Sequence, residues 1–83
     1  MNVLYFAWVR QKVGRGDEVV EHMPGLRTVG DLAAYLCARG GGYAEAFGDM
    51  SRLRAALNQA HVGMEAVLAP GDEIAFFPPV TGG

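Results

Sequence analysis

The sequence predicts one α+β domain in which a mixed β-sheet carries one main helix on one of its faces. Apolar residues recur at helical spacing in one clear segment, Thr28–Arg39. Valine and aromatic residues concentrate near both ends of the sequence, where they favour strands. A chain of 83 residues, 51% of them hydrophobic, can build only one modest core, so these segments must pack into a single layered domain.

The first predicted strand, Met1–Val9, is rich in valine and aromatic residues. Side chains alternate between the two faces of a strand, and the polar members of one set, Asn2 and Arg10, place that set on the solvent side. The same set contains three large apolar side chains, and an apolar patch there is better explained by a protein partner than by water. Phe77, on the outer side of the last predicted strand, lies on the same face. The residues expected to bind a partner are Leu4, Phe6, Trp8, Arg10 and Phe77.

The middle of the chain predicts a second strand and the main helix. The strand covers Asp17–Met23 and is joined to the first strand as an antiparallel hairpin. The helix begins with a capping box formed by Thr28 and Asp31, and Gly40 supplies a left-handed stop. Cys37 falls on the buried stripe of this helix, so we interpret it as a small core residue and not as a nucleophile.

The remaining segments complete the predicted topology. Two further strands cover Leu53–Gln59 and Glu73–Phe77. A phosphate-binding loop precedes a helix, whereas Gly40–Gly42 follows one, so we interpret this run as a connector before one helical turn over Tyr43–Phe47. A hairpin, followed by a helix that crosses over to deliver a strand parallel to the first, is the β-grasp arrangement of ubiquitin-like domains.

The composition argues against several functional classes. A single cysteine cannot form an internal disulfide or supply the thiolates of a structural zinc or iron–sulfur site. Nine acids against seven bases give a formal charge of −2, and the bases are scattered, which does not favour nucleic-acid binding. No stretch approaches the ~20 apolar residues that cross a bilayer, and Met1–Val9 lacks the features of a signal peptide. We therefore expect a cytoplasmic protein. His22 and His61 have no partner motif, and we interpret both as surface residues.

The end of the sequence predicts an extended tail. Two prolines cannot continue a β-ladder, and two glycines have no side chains with which to pack. The last six residues would reach roughly 20 Å, enough to enter a deep pocket of another protein. We therefore divide the chain into a domain over residues 1–78 and a flexible Gly-Gly tail over residues 79–83. On physical grounds alone, a frayed terminus explains these residues equally well.

The sequence resembles the molybdopterin synthase small-subunit (MoaD) family of ubiquitin-like sulfur carriers over nearly its whole length. The stretch FFPPVTGG is the most specific part, and VLYFAWVR and LRAALNQ add to it. The resemblance implies that the carboxyl of Gly83 is adenylated, converted to a thiocarboxylate, and donates its sulfur to a pterin precursor in molybdenum cofactor biosynthesis. Gly82, Thr81 and Val80 would give this carboxyl slender access to a partner.

The resemblance also implies two protein partners. One is the large subunit of the synthase, in a heterotetramer, and the other is a ubiquitin-activating-like enzyme that uses ATP to adenylate the tail. The sequence offers no nucleophile–base pair, phosphate loop or metal constellation, so the carrier itself is expected to bind no cofactor and the enzyme must be elsewhere. Two features depart from the family: His61 stands where an aliphatic contact residue is expected, and Gly40–Gly42 loosens the connector.

Two alternative functions stay open on the sequence alone. The sulfur carrier of thiamine thiazole synthesis shares the fold and the terminal Gly-Gly, but its members tend to be shorter and lack the run Phe76–Pro79. A ubiquitin-like protein modifier would instead be joined through Gly83 to lysines of target proteins.

Overall fold

The computed structural model describes residues 1–79, and the predictions that concern Val80–Gly83 lie outside the described residues. The described residues form five strands, three α-helices and one 3₁₀ turn. In chain order these elements are β1 Asn2–Tyr5, α1 Ala7–Val13, β2 Asp17–Val19, α2 Val29–Cys37, α3 Gly41–Phe47, the 3₁₀ turn Met50–Arg52, β3 Arg54–Leu57, β4 Ala60–Val62 and β5 Glu73–Phe77.

The strands form one mixed sheet in the order β2-β1-β5-β3-β4. β1 and β5 are neighbours near the centre and run parallel, whereas the other neighbouring pairs are antiparallel. The longest helix, α2, packs its apolar side into the same core as β1 and β5. The predicted α+β β-grasp fold is therefore confirmed. One detail differs. The strand parallel to β1 is β5, the last strand, whereas β3, the first strand after the helices, runs antiparallel to β5.

The prediction of a strand over Met1–Val9 is wrong beyond Tyr5. Ala7 has a left-handed backbone conformation with φ of 54°, and it turns the chain from β1 directly into α1. The helix ends at Gly14, whose φ of 90° suits a residue without a side chain. The chain then returns to the sheet, where the amide of Tyr5 donates to the carbonyl of Gly16 at 2.9 Å. β1 and β2 are thus antiparallel as predicted, but a helix joins them in place of a tight turn.

Helix α2 begins as predicted and ends slightly differently. The hydroxyl of Thr28 accepts from the amide of Asp31 at 3.1 Å, and the Asp31 carboxylate accepts from the amide of Thr28 at 3.0 Å. Gly40 has a positive φ of 78°, but its ψ of −169° is not that of the left-handed helix stop that the sequence predicts, and α2 ends at Cys37 with a right-handed C-cap at Ala38. Cys37 is only half-buried, so the prediction that it lies inside the core is wrong: it lies at the core's edge.

The glycine run Gly40–Gly42 is not the connector that the sequence predicts, because its last two residues begin α3. A side-chain carbon at Gly42 would lie 1.8 Å from the carbonyl oxygen of Lys12. Only glycine therefore lets α3 approach α1 this closely.

Two strand predictions also need correction. β2 ends at Val19 and not at Met23. The predicted strand Leu53–Gln59 is interrupted by a two-residue turn at Asn58, after which the chain runs back as the edge strand β4.

The core between the sheet and the helices centres on Tyr5, Phe47 and Phe76. The Phe47 ring meets the other two rings edge to face, with centroids 6.1 Å and 5.0 Å apart. Phe47 belongs to α3, so this short helix covers one end of the core. Truncation of such a buried ring to alanine costs roughly 3–5 kcal/mol, so these three side chains anchor the strands that position the C-terminal segment.

Candidate functional site at the end of the central strand

The C-terminal segment leaves the sheet from β5, which lies in the middle of the strand order. The amide of Phe6 donates to the carbonyl of Phe76 at 3.1 Å, and Arg54 lies opposite Phe77 on the other side. Two half-buried prolines follow Phe77. Prolines have no amide hydrogen, so strand pairing stops here. We call Phe77–Pro79 the root of the C-terminal segment.

The face of the sheet that lies away from the helices carries an apolar strip beside the root. Leu4 and Ala75 lie side by side on β1 and β5, and Phe77 follows on the same face. The ring of His61 lies 5.2 Å from the ring of Phe77. Phe6 is 49% exposed. The structure thus brings Leu4, Phe6 and Phe77 together, and we call these residues with Ala75 and His61 the open face.

Trp8 and Arg10 do not lie on the open face, because the chain has already turned into α1. Trp8 is half-buried, and the guanidinium carbon of Arg52 lies 5.1 Å from its ring centroid. The guanidinium of Arg10 lies against Gly16, where an added side-chain carbon would approach it to 3.2 Å. The prediction that these two residues share the outer face of a strand is therefore wrong. Both lie beyond the end of β1, in a helix that contacts β5.

Sequence reasoning missed two arginines beside the root. Arg54 lies opposite Phe77 and donates from Nη1 to the carbonyls of Leu53 at 2.8 Å and Ser51 at 3.2 Å. Strand alternation in the third predicted strand could have found it, because that alternation already points Arg54 outward. The stacking of Arg52 on Trp8 joins residues far apart in sequence, and no local pattern indicates it.

The helix side of the sheet holds a polar cluster around Glu18. Its carboxylate accepts from the hydroxyls of Tyr5 at 2.9 Å and Tyr43 at 2.5 Å, and from Nη1 of Arg39 at 2.6 Å. Burial raises the pKa of Glu18, but the hydrogen bonds from Arg39 and the two tyrosines outweigh burial and hold that pKa below its usual value. Burial, together with the bond to Glu18, raises the pKa of Tyr5. The cluster satisfies its own charges, which indicates a structural role.

Other kinds of site have little support in the part of the chain that the structure describes. Within residues 1–79, no group of three or more His, Cys, Asp or Glu side chains could hold a metal ion. None of the helices in this part combines the length and the apolar character needed to cross a membrane. A cleft of about 400 Å³ on the open side of the sheet is lined by Asn2, Leu4 and Glu73 among others, and one of about 510 Å³ lies beside Arg10 and Arg15.

The residues to which the sequence assigns the chemistry, Gly83 with Gly82, Thr81 and Val80, lie outside the described residues. The described part of the chain fixes their point of departure. That point is the end of an inner strand, next to the open face and to the first turn of α1.

Comparison with known proteins confirms the resemblance seen in the sequence. The chain is 44% identical to the molybdopterin synthase sulfur carrier subunit of Escherichia coli (strain K12), over 100% of this chain and 99% of that protein. It is 36% identical to the protein of the same name from Haemophilus influenzae, again over 100% and 99%. The crystal structure of SAMP1 from Haloferax volcanii superposes with a TM-score of 0.71 at 25% identity, covering 100% of this chain and 98% of that one. A family model described as the ThiS family matches residues 3–83, and the chain therefore belongs to the ThiS family.

Proposed function

We propose that this protein is the sulfur-carrier subunit of a molybdopterin synthase and acts in molybdenum cofactor biosynthesis. The observation that carries the proposal is the root: an inner strand delivers the C-terminal segment beside Phe6, which is 49% exposed, and the half-buried Phe77. A carrier needs this combination, because a rigid domain must be recognised while a slender tail reaches the partner's site. The 44% identity to a protein named as such a subunit supports the choice of synthase.

In the proposed reaction, the carboxyl of Gly83 is activated before it carries sulfur. Its oxygen attacks the α-phosphorus of ATP held by the activating enzyme, so that pyrophosphate leaves and an acyl-adenylate forms. A hydrosulfide equivalent from the sulfur donor then attacks the carbonyl carbon and displaces AMP, which leaves far more readily than hydroxide would. Glycine suits this step because it has no Cβ to clash with the nucleotide. The sulfur of the resulting thiocarboxylate displaces a leaving group on the pterin precursor, and water then cleaves the bond between this sulfur and the carbonyl carbon, so that the tail returns to a carboxylate.

The proposal assigns the catalytic groups to two partners. The ubiquitin-activating-like enzyme binds ATP and adenylates Gly83, and the large subunit of the synthase binds the precursor and assembles with the carrier as a heterotetramer. The carrier itself contributes a domain over residues 1–78 and a tail over residues 79–83, and it binds no cofactor, nucleic acid or membrane. The proposal includes a cytoplasmic location for the protein.

We infer that the partners dock on the open face and on the adjoining start of α1. Phe6 and Phe77 are aromatic residues at the root, and aromatic residues are the usual anchors of protein interfaces. Leu4 extends the apolar strip, and Trp8 and Arg10 border it from α1. Docking at this surface would bring the root to the partner, because Phe77 belongs to the open face and to the root.

The test begins with the mass of the carrier. The chain is incubated with ATP, its activating enzyme and a sulfur donor, and its intact mass is measured. Replacement of one oxygen by one sulfur is the expected result. The large subunit and the precursor are then added, and molybdopterin should form in step with loss of the sulfur.

Other outcomes of this test would overturn the proposal. A ladder of heavier adducts would assign the chain to the protein modifiers. A thiocarboxylate that serves a thiazole-forming enzyme but not the large subunit would assign it to thiamine synthesis. An unchanged mass would remove the carrier role altogether.

A further inference from the structure

Four exposed arginines flank the root and the adjoining end of the sheet. Arg52 and Arg54 lie on one side, where β3 begins opposite the last residue of β5. Arg10 and Arg15 lie on the other side, around the turn that returns the chain from α1 to the end of β1. We call these four residues the basic rim.

On the β3 side, the guanidiniums are held by groups that carry no negative charge. Arg54 donates to two backbone carbonyls, at 2.8 Å and 3.2 Å. Arg52 lies over the ring of Trp8, with 5.1 Å between guanidinium carbon and ring centroid. These contacts restrict where each cation can be, but they leave its charge available.

The α1 side shows the same arrangement. Nε of Arg15 donates to the backbone carbonyl of Asp17 at 2.9 Å, and not to its carboxylate. Arg10 lies against Gly16, where the missing side chain makes room for the guanidinium. A cleft of about 510 Å³, lined by Arg10, Arg15, Gln11 and two small residues, opens between them.

No carboxylate within residues 1–79 forms an ion pair with the basic rim closer than 4.0 Å. Within residues 1–79, one ion pair is closer than 4.0 Å, and it joins Arg39 to Glu18 in the polar cluster. The hydrogen bonds from Ser51 and the charge of Arg52 lower the pKa of Asp49, so Arg52 is compensated in part. Asp17, Glu18 and Glu73 line a cleft together with Arg15, but none of them forms an ion pair with it closer than 4.0 Å. The rim guanidiniums thus retain the capacity for charge-assisted, two-point binding of an anion.

We propose that the basic rim recognises carboxylates that border the opening in a partner protein through which the C-terminal segment passes. Four of the seven basic residues gather here in a chain of net charge −2, so the positive region is local. Charged groups around an apolar centre are typical of the edge of an interface, where they speed association and fix orientation. The inference rests on the proposed function and deepens it by naming the chemistry of the partner's surface.

The test compares association rates of single and double variants. Arg54→Gln, Arg52→Gln with Arg54→Gln, and Arg10→Gln with Arg15→Gln are mixed with the activating enzyme and, separately, with the large subunit in stopped flow. Arg27→Gln is the matched control, because it removes the same charge from an exposed residue beside Leu68, outside the rim. Thermal melting of each variant reports whether the fold is intact.

The double variants should associate roughly 10-fold more slowly than the native chain at low salt, and Arg54→Gln alone about threefold more slowly. The differences should shrink as salt rises from about 0.01 M to about 1 M, because the Debye length falls from about 30 Å to about 3 Å. Arg27→Gln should match the native chain. Arg54→Lys, which keeps the charge but not the two-point geometry, should retain most of the association rate, because long-range attraction depends on charge.

Each remaining outcome counts against one proposal. Equal rates for rim and native chains, or an equal loss in Arg27→Gln, would overturn the basic rim while leaving the carrier function standing. Salt-sensitive binding of the native chain to duplex DNA, lost in the rim variants, would assign the rim to a polyanion. A native chain that becomes no thiocarboxylate and binds neither partner would instead overturn the proposed function.

Discussion

The two faces of the sheet use their polar and aromatic groups in opposite ways. On the helix side, Glu18 is surrounded by three donors and neutralises Arg39. The buried rings of Tyr5 and Phe47 pack edge to face on the same side. On the open side, Phe6 is 49% exposed. Beside the root, Arg54 is held by backbone carbonyls, and Arg52 is held by the ring of Trp8 in α1.

This difference separates stability from recognition within a small domain. A carboxylate with three donors and a set of interlocked rings stabilise the fold but leave nothing for a partner to bind. Exposed aromatic rings and cations without counter-ions add little to folding and much to an interface. Substitutions on the helix side should therefore change the free energy of unfolding, whereas those at the root should change binding and sulfur transfer.

The largest expected effect comes from changing the length of the C-terminal tail, which should abolish function without altering either face of the sheet. Adding one alanine after Gly83 moves the reactive carbon by up to ~3.5 Å, and a misplacement of 1 Å can already cost ~100-fold in rate. Deleting Gly83 displaces it in the other direction. Adenylation and thiocarboxylate formation should fall at least ~100-fold in both variants, while the melting temperature changes by no more than about a degree or two.

An added glycine is the matched variant for this experiment, because it shifts the carboxyl without introducing a Cβ. It should be as inactive as the alanine version if the position of the carboxyl decides the rate. An extended chain that becomes a thiocarboxylate at the native rate, with its full mass retained, would remove the main support for the carrier proposal.

Phe77→Asp tests the recognition side of the comparison. Phe77 is half-buried against His61 and sits at the root, so a carboxylate there should weaken partner binding by about 2 kcal/mol, or roughly 30-fold. Calorimetric titration with the large subunit measures the effect. Val67→Asp, which places the same charge on a side chain that is 66% exposed elsewhere, should bind normally. Unfolding of isolated Phe77→Asp would show that Phe77 belongs to the core.

Glu18→Gln tests the stability side. Because the pKa of Glu18 is lower in the folded chain than in the unfolded one, the carboxylate stabilises the fold above its unfolded pKa of about 4.3 and loses this effect as the pH falls below it. The variant should be about 1.5 kcal/mol less stable than the native chain near neutral pH. The gap should narrow as the solution is acidified towards about pH 3.

Urea denaturation at several pH values measures this gap. Glu45→Gln on the exposed side of α3 is the control, and its stability should follow the native chain at every pH. A gap between Glu18→Gln and the native chain that stays constant with pH would show that the carboxylate's charge does not contribute. Binding to the large subunit should be unchanged in either variant.

The sequence predicted the parts of the fold whose signals are local. The spacing and capping box of α2 and the alternation of β5 needed no knowledge of distant residues, and the outward positions of Leu4 and Phe77 followed from the same alternation. Helix α1 was missed because Val9 is buried in either a strand or a helix, and the left-handed turn at Ala7 depends on where β2 must pair.

The parts of the site that the sequence did not predict depend on contacts between distant segments. The stacking of Arg52 on Trp8 requires both the turn into α1 and the start of β3. The need for glycine at position 42, in the first turn of α3, arises from close approach to Lys12, which no pattern within the glycine run indicates. Composition can indicate that glycine and arginine are present, but only the topology brings them to the root.

The smallest expected effect concerns Cys37, which lies at the edge of the core on the helix side of the sheet. Its half-buried side chain packs against the edge of the core, so Cys37→Ala should lower the free energy of unfolding by about 0.5–1 kcal/mol. Leu36→Ala, one residue earlier in α2 and fully buried, should cost about 2–5 kcal/mol by the same measurement in urea. Sulfur transfer should proceed at the native rate in Cys37→Ala, because the thiol lies on the helix side and takes no part in the proposed chemistry. A folded Cys37→Ala chain that no longer transfers sulfur would show that this thiol acts in the reaction, and the separation of stability from recognition would then fail at this residue.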